Sequence, residues 1–126
     1  MSDWFQDVLE FHKAMGHYIG NTPQFPDFLV IELRHALEQE EFSELCSAVI
    51  NRDIVGVADG IADLIYVLIG RAISFGIDLR PVFAAVHKAN MAKVDGPIRA
   101  DGKKLKPEGW KPPDIAGILA KQEPLV

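Results

Sequence analysis

Apolar residues recur at steps of three and four through most of the first 94 residues, and the pattern stops after Val94. Phe5, Val8, Leu9, His12 and Met15 share one helical face, with Ser2 or Asp3 available as N-cap, so a first helix is predicted from about Trp4 to Tyr18. Gly20-Asn21-Thr22-Pro23 and Phe25-Pro26-Asp27 oppose its continuation and predict a loop of about ten residues. From Phe28 the stripe Leu29, Leu33, Leu37, Glu41, Glu44, Ala48 should face the core. Asn51-Arg52-Asp53 interrupts it, with Asp53 placed to cap the next helix, so two antiparallel helices are expected. The second, Ile54 to about Phe75, is apolar nearly all round and should be central. Gly76 then serves as C-cap, Asp78 as N-cap and Pro81 as a first-turn residue of a fourth helix reaching about Ala92. Asp95-Gly96-Pro97, Asp101-Gly102, Lys106-Pro107, Glu108-Gly109 and Pro112-Pro113 predict an irregular or hairpin-like arm.

The expected architecture is therefore all-α: a four- to five-helix bundle over residues 1–94, with the irregular arm of residues 95–126 packed on the same domain. A chain of 126 residues can bury a core of its own, and dimerisation would cover further apolar surface. Residues 1–92 carry a net charge of −7 and residues 93–126 a net of +2, so a cation-recruiting body precedes a phosphate-friendly tail. The overall −5 argues against a nonspecific grip on nucleic acid. Cys46, the single cysteine, permits no intrachain disulfide and reads as a small buried residue. The acidic N-terminus lacks a signal peptide's pattern, and a cytoplasmic location follows by default. The apolar run Ile54 to Ile77 approaches spanning length but contains Asp59, Asp63 and Arg71, so no membrane partner is expected.

Two acidic clusters organise this pattern: Glu40-Glu41-Phe42-Ser43-Glu44 and Asp59-Gly60-Ile61-Ala62-Asp63. Glu41 with Glu44, Glu40 with Glu44, and Asp59 with Asp63 share helical faces. Glu38 reads as a solvated residue, whereas carboxylates on an inward stripe must be paired or bind a cation. Oxygen-only donors at this density suit Mg2+ or Mn2+, which bring phosphates with them. Tyr66 is either core or pocket wall, and His87 reads as structural. Lys103, Lys104, Lys106 and Lys111 either form a solvated surface or close over a triphosphate. Trp110 is expected to anchor the arm rather than stack on a base.

The ordered series Glu40-Glu41-x-x-Glu44-Leu45 and Ala58-Asp59-Gly60-Ile61-Ala62-Asp63-Leu64-Ile65-Tyr66-Val67 resembles the all-α NTP pyrophosphatase superfamily. Phe11-His12, Phe75-Gly76-Ile77-Asp78-Leu79, His87-Lys88-Ala89-Asn90-Met91-Ala92-Lys93, and Asp101-Gly102-Lys103 leading to Lys106 and Pro112-Pro113-Asp114 are similar to its MazG-like, phosphoribosyl-ATP pyrophosphohydrolase-like branch. The resemblance covers about residues 4–115. It implies a MazG-type helical bundle forming homodimers or dimers of dimers, which uses Mg2+, with Mn2+ as substitute, to convert nucleoside triphosphates to monophosphates and pyrophosphate. By the same resemblance Glu41 and Glu44 match the first metal-binding pair, Asp63 the last acid of the second pair and Glu40 an additional acid. Asn90, Lys93 and Lys106 match substrate-binding positions on the phosphate side. Where the family pattern has Glu, this chain has Gly60, and Asp59, one turn before Asp63, stands ready to supply the carboxylate.

The expected mechanism has Glu41, Glu44, Asp59 and Asp63 holding metal, Glu40 or Glu41 as general base, and Lys93 with arm lysines on the departing pyrophosphate. The alternatives are hydrolysis of phosphoribosyl-ATP and, because of Gly60, nucleotide binding without turnover. A helical DNA-binding module fits worst, since it leaves the inward carboxylates unexplained.

Overall fold

The computed structural model describes residues 2–126, among which there are five helices and no strand: α1 (Trp4–Met15), α2 (Phe28–Ile50), α3 (Ile54–Ser74), α4 (Leu79–Met91) and α5 (Ile115–Lys121). The chain forms two compact units, one running to Asp78 and including Glu123–Val126, the other Leu79–Gln122. No single helix among the described residues is long and apolar enough to cross a membrane.

In the first unit α1 starts on Asp3, whose carboxylate accepts from the Gln6 amide at 3.1 Å. It ends at Met15, earlier than the periodicity predicts, because Gly16 takes the left-handed conformation (φ 70°) and the chain turns off. Phe5, Val8, Leu9 and His12 bury the inner face of α1, and Ile69, Ala72 and Ile73 are the buried apolar residues of α3. Each fully buried Phe, Val or Ile contributes about 1.5–3 kcal/mol from removed apolar surface.

The loop between α1 and α2 closes the C-terminus of α3, where carbonyls would otherwise lack partners. Gly20 N–H donates to the Ile73 carbonyl (2.9 Å), and Gln24 N–H to that of Phe75 (3.0 Å). Gly76, at φ 70°, lies so close to Thr22 that a Cβ would stand 2.1 Å from the Thr22 carbonyl oxygen, so only glycine fits. The tail returns to the same loop, Leu125 N–H donating to the Asn21 carbonyl at 2.9 Å.

Helices α2 and α3 are capped by Asp27 and Asp53, which accept from Leu29 N–H and Gly56 N–H. The turn between them is short because Arg52 adopts φ 56°. The face that α2 buries departs in part from the predicted stripe: Leu29, Leu33 and Glu44 are exposed and Arg34 is buried, whereas Ala48 is buried as predicted. Nor is α3 enclosed all round, since Ile54, Val55, Ile61 and Leu68 are exposed. Cys46 is exposed as well, because a helix packed on one side leaves its far side open and Cys46 falls there.

In the second unit α4 begins at Leu79 with Pro81 in its first turn, where the missing N–H costs nothing. The segment after it forms a tight hairpin: Leu105 N–H donates to Pro97 O (2.7 Å) and Arg99 N–H to Lys103 O (2.7 Å), with an isolated bridge between Ile98 and Lys104. Asp101 closes the tip, accepting from the Arg99 guanidinium and from Lys103 N–H. The arm is irregular as far as Asp114, which then caps α5 through Gly117 N–H at 2.9 Å.

Candidate functional site

Glu41 and Glu44 stand one turn apart on α2, and Asp63 faces them from α3. One carboxylate oxygen from each lies within 4.8 Å of the others. The turn at residues 51–53 makes this possible, since it folds α3 back along α2. Glu41 is half-buried, and its Oε2 is closed off from solvent without a hydrogen-bond partner. Among the described residues none of the three carboxylates makes a salt bridge with a basic side chain. Desolvation, followed by the charges of Glu44, Asp63 and Glu40, raises the Glu41 carboxyl above its ordinary range.

An oxygen buried without a partner, next to two further carboxylates and no cation from the chain, is costly unless a positive ion arrives. The donor set is all oxygen, which fits a hard divalent cation. The structure thus brings together Glu41, Glu44 and Asp63 of the residues singled out in the sequence. Glu40 is exposed and acts on the group through its charge on Glu41. Asp59 lies outside the three-oxygen set and lines a separate groove of about 270 Å³ with Glu44, Ser47, Asn51 and Asp53.

Gly60 has a packing explanation. It is buried, and a Cβ there would lie 3.1 Å from both Cα and Cβ of Leu45. The backbones of α2 and α3 approach too closely at this level for a carboxylate side chain to leave position 60 without displacing Leu45.

Earlier on α2 lies a charged group that the sequence pattern did not single out. The Arg34 guanidinium is buried, donates from Nη2 to the Val67 carbonyl at 3.3 Å, and leaves Nε without a partner. Burial depresses its pKa, opposed by the charge of Glu38 and reinforced by that of Arg71. Glu38 is not a solvated residue: it accepts both Nε (2.5 Å) and Nη2 (2.9 Å) of Arg71. Gly70 makes room for this arrangement, since a Cβ there would stand 2.5 Å from Arg34 Nη2 and 3.0 Å from His12 Nε2. The i, i+4 spacing of Arg34 and Glu38, with Arg71 inside an apolar run, was the available signal.

A groove of about 300 Å³ runs between α1 and α3, lined by Trp4, Asp7, Val8, Ala62, Tyr66 and Ile69 among others. Tyr66 is thus a pocket wall, held edge-on to Phe11 with ring centroids 5.6 Å apart.

In the second unit, Asn90, Lys93 and Lys106 come together around Trp110. Lys93 Nζ donates to Asn90 Oδ1 at 3.2 Å and lies 5.0 Å from the Trp110 ring centre, while Lys106 Nζ lies 4.6 Å from it. Trp110 anchors the arm as its position suggested, donating from Nε1 to the Ala89 carbonyl at 2.8 Å.

Comparison with known proteins agrees with this constellation. A profile of the phosphoribosyl-ATP pyrophosphohydrolase family matches residues 8–90, a span that contains all three clustered carboxylates. An uncharacterised protein of Acanthamoeba polyphaga mimivirus is 30% identical over 97 residues, which is 74% of this chain and 36% of that protein. The chain thus spans about a third of the length of that relative. With its helical hairpin, its facing acids and a profile match across most of its length, the chain belongs to the phosphoribosyl-ATP pyrophosphohydrolase family, within the MazG-like all-α NTP pyrophosphatase superfamily.

Proposed function

We propose that this protein is a Mg2+-dependent nucleoside triphosphate pyrophosphohydrolase, with Mn2+ as a substitute ion, releasing a nucleoside monophosphate and pyrophosphate. The observation that carries this reading is the Glu41–Glu44–Asp63 cluster, with its partnerless buried oxygen, in a chain of this family. Those three residues would hold the ion, and Asp59 would join them by a rotamer change toward Glu44. A divalent cation held there supplies charge neutralisation on the triphosphate.

The chain's own groups do the rest. Glu40, exposed beside the cluster and outside its three-oxygen set, takes the proton of a water attacking the α-phosphorus, with Glu41 as the other candidate base. The bond from the α-phosphorus to the bridging oxygen then breaks and pyrophosphate leaves; by the family resemblance Asn90, Lys93 and Lys106 are the proposed phosphate-binding residues, with Lys93 Nζ donating to Asn90 Oδ1. The groove beside Trp4 and Tyr66 is apolar and aromatic, and adjoins Asp63 in sequence through Ala62, which suits a nucleobase. A homodimer or dimer of dimers would cover the apolar faces left open on α2 and α3. A cytoplasmic protein with neither nucleic-acid nor membrane partner accords with this substrate.

The test is pyrophosphate release from a panel of ribo- and deoxyribonucleoside triphosphates and from phosphoribosyl-ATP, with Mg2+ or Mn2+. Glu44→Gln and Asp63→Asn should each lower the rate by at least about a hundredfold, as loss of a direct metal ligand exceeds loss of an outer-shell partner. Release from phosphoribosyl-ATP alone would assign the narrower family activity. No release from any substrate, with nucleotide still bound, would leave a binding protein that has lost turnover.

A further inference from the structure

We propose that Trp110 is a positioning residue, its ring gathering the ammonium groups of Lys93 and Lys106 into one two-cation site for an oligophosphate. Its part in turnover rests on the pyrophosphohydrolase reading above; its part in binding does not.

Local geometry makes the assembly. Gly109, at φ 80°, allows the turn in which Trp110 N–H donates to the Pro107 carbonyl at 3.1 Å, and this folds the indole back on Lys106. The indole N–H, bonded to Ala89 O at 2.8 Å, pins the same ring to α4 one turn before Lys93. Two lysines thirteen positions apart thereby approach one ring, at 5.0 and 4.6 Å from its centre.

An anchor would need only the N–H bond and an apolar neighbour. Here the ring's negative π-cloud draws in two like charges that repel each other. Among the described residues neither ammonium makes a salt bridge with a carboxylate. A pair of cations held together without an internal anion is matched by a ligand carrying several negative charges in a row, such as the pyrophosphate end of a triphosphate.

Binding of inorganic tripolyphosphate to the full chain, by calorimetry in EDTA, reads this site without a cation at the acidic cluster. Lys106→Gln should weaken binding about tenfold in the parent, as expected for loss of one charged hydrogen bond, and only about twofold in the Trp110→Leu background. Trp110→Phe, which keeps a ring face, should restore much of the difference. An equal effect of Lys106→Gln in both backgrounds, or no tripolyphosphate binding by the parent, overturns the proposal.

Should Trp110→Leu fail to fold, NMR of the parent protein decides: ring current should shift the ε-methylene protons of both lysines upfield, and tripolyphosphate should move both signals. Unshifted lysine signals overturn the proposal. Tripolyphosphate binding with this coupling, but without pyrophosphate release from any nucleotide, upholds the positioning role and removes the enzymatic reading. Nucleotide turnover without tripolyphosphate binding does the reverse.

Discussion

His12 occupies a position where a positive charge is poorly tolerated. It is 2% exposed, its Nδ1 lies 3.2 Å from the Tyr18 carbonyl, and the His17 ring stands edge-on at 5.3 Å. Burial lowers its pKa, and the charges of Arg34 and His17 lower it further against the opposing Tyr18 carbonyl. Since the folded value lies below the ordinary 6.5, the unfolded chain takes up the proton first as the pH drops. The stability associated with neutral His12 is therefore complete above pH 6.5 and is lost on acidification through that value to the folded one. Thermal melts across pH 5–8 should show this decline, and His12→Gln should flatten it; an unchanged pH profile in the variant would remove His12 as its source. The inward position of His12 was legible from its place on the apolar stripe of α1, but the groups packed around it were not. Glu41 and Asp63 were legible because a carboxylate on an apolar stripe demands a partner, and Glu44, which is exposed, because it stands one turn from Glu41. Arg34 and Glu38 were not, because long charged side chains are usually solvated and their i, i+4 spacing, with Arg71 in an apolar run, is a weak mark of burial.

At the level of elements, the α2–α3 hairpin carries the site, and Gly60 sets how closely its two arms pack. Replacing it with alanine gains helix propensity of up to about 1 kcal/mol but adds a methyl 3.1 Å from Leu45, where overpacking costs roughly 1–3 kcal/mol. Gly60→Ala should thus lose about 1 kcal/mol by urea denaturation, and Gly60→Glu more, with cation affinity falling as Glu44 and Asp63 are pushed apart. A Gly60→Glu protein of parental stability with a tighter metal site would refute the packing account. The helices themselves were well marked by period and by Asp27, Asp53 and Gly76. Their ends were less so: Gly16 stops α1 before the residues that look like breakers, and α5 is only about two turns long, with Asp114 as its chief signal.

For the whole molecule, the all-α class was readable in the absence of period-two alternation, whereas the identity of the covered faces was not. An apolar stripe looks the same whether it faces its own chain or another. Phe28, Leu29 and Leu33 on α2, and Ile50 and Ile54 at 78% and 77% exposure beside the turn, remain open. So much apolar surface on a short chain argues for self-association. Sedimentation should find a dimer or tetramer, and Ile50→Glu with Ile54→Glu should shift the population toward monomer at micromolar concentration. A parent protein that sediments as a monomer throughout would exclude it.

The two tryptophans fall one to each compact unit, Trp4 largely exposed on α1 and Trp110 half-buried with its indole N–H engaged. The molecule therefore carries a separate built-in fluorophore for each half. With Trp4→Phe, all tryptophan emission comes from the Leu79–Gln122 unit, and circular dichroism, dominated by α1–α3, follows the other. The two signals, recorded on one sample, reveal whether the acid-bearing and lysine-bearing halves lose their order together or one after the other.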